Sequence, residues 1–227
     1  MKILVFDTET TGLPKYRNAP ISQTHNWPHV VQLSFLLYDV RHNMVIEEGN
    51  YIICLPDNVT IDPKSQEVHG ISMEQCKREG VPIDEAFSYF KEALARCDML
   101  LAHNISFDKN MMMVEGKRLG FDNIFKKDDG SDLPEFCTMK SSIDLCKIER
   151  RSERTGKIYY KYPKMVELHK YLFDYEPNGL HDSMADILCC LRCYFMMYYN
   201  RDILFDNRRI ANLWREKCIT DDVIMFD

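Results

Sequence analysis

Residues 3–6, Ile-Leu-Val-Phe, form an unbroken apolar run that ends on Asp7 and Glu9. A short run that is apolar on both alternating faces fits a central strand covered from two sides. On a strand, residues i and i+2 face the same way, so Asp7 and Glu9 point together. Two carboxylates at a buried strand end repel each other, because a charge taken out of water is costly unless it is paired. A divalent cation between them would remove the conflict. The plainer alternative is a strand running into solvent with two ordinary surface acids, and this segment alone leaves the two readings level.

Two later segments break the tie. After the apolar run 99–101, the stretch Ala102-His103-Asn104-Ile105-Ser106-Phe107-Asp108 supplies a third carboxylate where a strand gives way to a helix. Gly179-Leu180-His181-Asp182-Ser183-Met184-Ala185-Asp186 then brings a histidine and a fourth carboxylate to the mouth of the most apolar helix in the chain. In this order, Asp-Thr-Glu-Thr-Thr-Gly-Leu, His-Asn-x-x-Phe-Asp and His-x-x-x-x-Asp resemble the three motifs of the DEDDh exonucleases. That family includes the proofreading subunit of bacterial replicative polymerases, the Trex-type exonucleases and oligoribonuclease. Proteins of this sort from large DNA viruses look most similar. The resemblance spans residues 1–200 and implies an α/β, ribonuclease H-like fold, a mixed five-stranded sheet flanked by helices. Residues 201–227 are expected to form a helical extension packed on the same domain.

The activity implied is metal-dependent 3′-to-5′ hydrolysis of single-stranded ends, DNA before RNA, with release of nucleoside 5′-monophosphates. An exoribonuclease is the nearest rival, since no contact to a 2′-OH is legible here. A non-catalytic nuclease fold serving as an adaptor is a weaker one, because all five catalytic positions are filled. By resemblance, Asp7 bridges two Mg²⁺ ions, Glu9 and Asp186 complete the site of the metal that holds the attacking water, and Asp108 holds the second metal directly or through water. Four acids with no thiolate and no paired histidine suit Mg²⁺, with Mn²⁺ a usable substitute.

His181 is the expected general base. An ordinary imidazole is largely neutral near physiological pH and can accept a proton. Asp182 competes for the fourth acid, but directly after His181 it is better placed to cap a helix. Thr10, Thr11, Gly12 and Leu13 are expected beside the terminal nucleotide, with Leu13 as a wedge between bases. His103 and Asn104 match the second motif, as fold supports or as substrate contacts; Phe107 is core-facing or stacked near the ribose, and both alternatives stay open.

Composition narrows the class further. A chain of 227 residues without a low-complexity linker reads as one main domain. No run approaches a membrane span, and Asp7 and Glu9 interrupt any secretory signal, so an intracellular, soluble protein of cytoplasm or nucleus is expected, with no membrane partner. Nine irregularly spaced cysteines suit reduced thiols. Cys189, Cys190 and Cys193 could be read with His181 as a zinc site, but their apolar helix favours core thiols. The net charge of −6 argues against electrostatic coating of nucleic acid. The exception is the segment 147–164, whose seven cations, including Arg150, Arg151 and Arg154, alternate with three tyrosines and only two acids. A hairpin turning at Thr155-Gly156 that contacts the 3′-ended strand of DNA or RNA fits this composition, as does a charged surface hairpin without a partner. A polymerase partner and self-association are left open.

Local patterns complete the expectation. Strands are expected at 30–38 and at 44–46 extended through 51–55, a capping box at Ser72 and Gln75, and a helix capped by Asp84. A strand at 98–102, a helix at 109–119, and a solvated polar loop at 122–135 should follow. Met111 to Met113, Met196 and Met197 read as core filler.

Overall fold

The structure, a computed structural model, describes residues 1–127 and 129–218. Asp128 of the polar loop and residues 219–227 of the C-terminal extension lie outside the described residues. The first half of the chain runs β1 (Lys2–Thr10), β2 (Val30–Asp39), β3 (Met44–Ile52), α1 (Pro63–His69), α2 (Met73–Glu79), α3 (Ile83–Ala95), β4 (Met99–Ala102) and α4 (Ile105–Arg118). The second half runs β5 (Glu135–Cys137), α5 (Thr138–Ser141), α6 (Ile143–Cys146), β6 (Glu149–Arg151), β7 (Ile158–Tyr160), α7 (Met165–Phe173), α8 (Ser183–Tyr199), α9 (Ile203–Asp206) and α10 (Arg208–Cys218). The five-stranded sheet has the order β3-β2-β1-β4-β5. β1 is antiparallel to β2 and parallel to β4, so the sheet is mixed, as the resemblance implied.

The run Ile3 to Phe6 lies at the sheet's centre and is wholly buried. Alternation divides it between two cores: Leu4 and Phe6 pack with Phe35, Phe87 and Phe90 beneath α3 and α4, while Ile3 and Val5 pack with Leu36 and the apolar face of α8. Burying a side chain of this size is worth roughly 1.5–3 kcal/mol, so the two cores clamp β1 from both faces. A register shift between Glu9 and Thr10 ends the regular pairing with β2, a bulge at the point where the strand reaches its acids.

Several local expectations need correction. The second strand stops at Ile52, and Ile53 pairs instead with Val81. Ser72 accepts from the Gln75 amide, but the Gln75 side chain turns to Glu79, so the capping box is one-sided. Asp84 lies inside the first turn of α3 rather than capping it; Pro82 holds the N-cap position. α4 starts at Ile105, four residues early, because Asn104 takes a left-handed conformation (φ 66°) and turns the chain directly into the helix. The loop at 122–135 is not wholly solvated: Phe125 and Leu133 are buried in the α3/α4 core, and its end becomes β5. Met111 and Met112 do fill core, as do Cys189, Cys190 and Cys193.

α10 closes the second core. Trp214 of α10 is buried and stacks on His169 of α7 at 5.5 Å. Arg192 packs against the Trp214 ring at 4.7 Å, is bridged to Asp202 and is hydrogen-bonded to His169 Nε2. Since His169 Nδ1 lies 3.0 Å from the Tyr175 carbonyl, it donates there and Nε2 accepts from the guanidinium. Burial and the Arg192 charge both keep this imidazole neutral.

Candidate active site

Asp7 and Glu9 extend from β1 on the face of Ile3 and Val5, toward α8, opposite Ser34 and Gln32 of β2. These two polar residues, buried in an otherwise apolar strand, hold the start of α8. Ser34 Oγ lies 2.6 Å from Ser183 Oγ, and the Ser183 amide donates to Gln32 Oε1 at 3.1 Å. Asp182 is the N-cap, as expected, accepting from the amides of Met184 and Ala185; such a cap is typically worth about 1 kcal/mol.

Asp186 therefore lies in the first turn of α8, where the helix dipole favours a negative group. The His181 amide donates to its Oδ2 at 3.0 Å. His181 itself is exposed and left-handed (φ 74°). Ligand atoms of Glu9, His181 and Asp186 all lie within 4.8 Å of one another.

Asp108 arrives from the other layer. Thr8, between the two β1 acids, faces α4, and it lies beyond Val5, the last β1 residue paired with β4. Its amide and its hydroxyl both donate to Asp108 Oδ1, at 3.1 and 2.9 Å. Thr8 was not singled out from the sequence. Its signal was its place as the odd residue of an i, i+2 pair of acids, facing the helix that carries the third.

The electrostatics follow from this crowding. Burial, then the charges of Asp108, Asp186 and Glu9, push the Asp7 carboxyl well above the ordinary range. Burial and then Asp186 raise Glu9 to about 8. Asp108 and Asp186 are raised by burial too, against the hydrogen bonds from Thr8 and from the His181 amide. Near neutral pH these four groups need protons or a cation.

The acids line one wall of a cleft of about 520 Å³ whose opposite wall is Tyr162, Pro163, Lys164 and Met165. His103 ties that wall down. Its Nε2 lies 3.1 Å from the Pro163 carbonyl and its Nδ1 2.9 Å from the Thr138 hydroxyl, so both ring nitrogens are engaged within the fold. Burial lowers its pKa to about 4; the neutral ring donates from Nε2 and accepts at Nδ1. Asn104 lines the same cleft, and Phe107 both packs against the core and lines it, so neither of its two expected positions excludes the other.

Across Thr8, Glu9 and Phe107 the cleft adjoins a second cavity of about 570 Å³, bounded by Thr10, Gly12, Leu13 and α1. Thr10 Oγ1 donates to the Gly12 carbonyl, and Thr11 Oγ1 accepts the His29 amide, which leaves Leu13 80% exposed at the tip of a braced turn. The α1 residues Lys64, Val68 and His69, not singled out from the sequence, form its far side. The segment 147–164 is a β6/β7 hairpin turning at Thr155-Gly156. Its tyrosines and Arg150, Arg151 and Arg154 are exposed; the arginines lie outside the cleft lining, while Tyr162 and Lys164 lie within it.

Comparison with known proteins agrees with this arrangement. A family model described as RNase_T, exonuclease, matches residues 4–194. Solved structures with the same fold include E. coli exonuclease I in complex with a dT13 oligonucleotide, at 16% identity and a TM-score of 0.64 over 93% of this chain and 45% of that one. The complex of the same enzyme with dA16 matches at 15% identity and a TM-score of 0.64 over the same shares. A zinc-bound form of its ssDNA complex matches at 16% and 0.62, over 91% of this chain and 43% of that one. The chain thus spans less than half the length of these structures, and the likeness is one of fold. A search of curated proteins found no match.

Proposed function

The chain belongs to the RNase_T exonuclease family, of DEDDh type, and from that membership we propose that it removes nucleotides from the 3′ end of single-stranded DNA. The observation that carries this reading is the convergence of Asp7, Glu9, Asp108 and Asp186 from three separate elements on one cleft lip, with His181 beside them.

The acids fit a pair of hard divalent cations. All four are raised by burial, and like charges crowd Asp7, Glu9, Asp108 and Asp186; the donors are carboxylate oxygens with one imidazole and no thiolate, a set suited to Mg²⁺ or Mn²⁺. Asp7, Glu9 and Asp186 would hold one ion, and Asp7 with Asp108 the other, Asp108 Oδ2 being free of the Thr8 hydrogen bonds. When bound, such a pair supplies an activated water and stabilises charge at phosphorus and on the departing oxygen.

The chain's own groups supply the rest. His181, at the open side of the cleft, accepts the proton of the attacking water on its imidazole. Thr8 holds the Asp108 carboxylate in one orientation, and the Asp182 cap with Ser34 and Gln32 does so for the helix carrying Asp186. The braced turn 10–13 presents Leu13 as a wedge against the terminal bases, and the adjoining cavity takes the last nucleotide. Tyr162 and Lys164 offer a ring and a cation to the strand entering the cleft. Those E. coli exonuclease I complexes, named for bound dT13 and dA16, favour DNA over RNA.

The test is an assay with 5′-labelled DNA and RNA oligomers, with and without Mg²⁺. Stepwise shortening of single-stranded DNA that EDTA abolishes is expected. Internal cutting, or no shortening with either polymer, would overturn the reading; faster loss of RNA would replace it with an exoribonuclease.

A further inference from the structure

The turn 178–182, which sets His181, touches the last turn of α10, beyond the residues matched by the family model. The Asn178 amide donates to the Cys218 carbonyl at 3.3 Å. Lys217 Nζ lies 3.3 Å from Asp182 Oδ2, and Cys218 Sγ is directed at the Ala185 carbonyl from 3.9 Å. Gly179 is the tightest point: it is left-handed (φ 73°), and a Cβ there would stand 2.1 Å from the Lys217 carbonyl oxygen. Only glycine lets the two backbones approach so closely. α10 is itself fixed, because Trp214 is buried against His169 and Arg192.

We propose that α10 is a positioning element for His181. Its Lys217–Cys218 end fixes the turn on both sides of the histidine, through Asn178 and Gly179 before it and Asp182 after it. The left-handed His181 then falls within reach of Glu9 and Asp186. This rests on His181 being the general base. A base displaced by even about 1 Å loses a large part of its effect, so the geometry of the C-terminal helix is read out in turnover rather than in substrate affinity.

A double-mutant cycle tests it. His181→Ala alone should lower kcat by about a hundred- to ten-thousandfold. Gly179→Ala should lower kcat by about ten- to a hundredfold with KM within about twofold, and should lower it no further when His181 is already alanine. Gly120→Ala controls for left-handed strain, since Gly120 has φ 84° and open space around it; it should leave kcat unchanged. Should Gly179→Ala fail to fold, the pair Lys217→Gly and Cys218→Gly, which loosens the helix end without a clash, carries the same cycle. An equal loss from either change with and without His181 overturns the proposal, as does parental kcat in both. A His181→Ala enzyme within tenfold of the parent removes the base reading itself, and the proposal with it.

Discussion

Thr8 gives both of its hydrogen-bond donors to one oxygen of Asp108, a residue a hundred positions away on the opposite layer. Hydrogen bonds to a charged acceptor are worth about 1.5–3 kcal/mol, and these two also pull the Asp108 carboxyl back toward ionisation. Thr8→Val keeps the shape and the amide but deletes the hydroxyl. The concentration of Mn²⁺ needed for half-maximal activity should rise by about ten- to a hundredfold, and Thr8→Ser should restore it. An unchanged metal requirement would make the hydroxyl a packing detail.

Asp7→Asn removes one charge from the most crowded carboxyl while conserving its shape. Activity should fall by more than about a thousandfold. The metal-free protein should nevertheless melt at a higher temperature than the parent, because the folded state no longer has to take up a proton on this buried acid. Activity within tenfold of the parent in a preparation free of other nucleases, or a lower melting temperature, would count against Asp7 as a metal-holding group.

The same crowding sets a pH dependence. Glu9 titrates at about 8 in the folded protein and near 4.3 when unfolded, so between these values the folded state binds more protons. Stability of the metal-free protein must then fall as pH rises from about 4.3 to about 8. Urea denaturation at pH 5.5 and 7.5 measures it. Saturating Mg²⁺ should flatten or reverse the slope, since the ions bind the ionised acids. Stability that rises through this window without metal would contradict the raised carboxyls.

The hairpin separates grip from chemistry. Arg150, Arg151 and Arg154 are exposed and stand outside the cleft, so changing all three to alanine should raise KM for long single strands and flatten its salt dependence. Dinucleotides, which reach only the cleft and the Leu13 cavity, should be cleaved as before. Equal loss on both substrates would indicate a folding defect, and no loss on either a plain solvated hairpin.

What the sequence disclosed, and what it hid, divides along physical lines. The central strand, the apolar helix entered at Asp182 and the Asp182 cap were legible because their signals are local: an unbroken apolar run, a segment dense in Leu, Phe and Met, a capping residue. The hairpin was legible from its turn and its charges. The three-residue β5 was not, since a strand that short has no periodicity of its own, and Phe125 and Leu133 are carried into the core by a loop of polar neighbours. At the site, the acids announced themselves by spacing. The groups that aim them, Thr8, Gln32 and Ser34, are ordinary polar residues whose meaning comes only from what lies across the sheet. α1 gave no sign of facing the same groove, because its apolar Val68 projects toward solvent rather than a core.

The order in which the chain delivers its acids also bears on how the protein is made. β1 supplies the first two, yet they face a helix whose Asp186 is translated some 180 residues later, about ten to forty seconds at a typical rate of roughly 5–20 residues per second. Throughout that interval the nascent chain carries Asp7 and Glu9 without the layer that completes their site. A chain that stops short of α8 therefore lacks Asp186, and the four-acid cleft exists only once the long-range layers have closed.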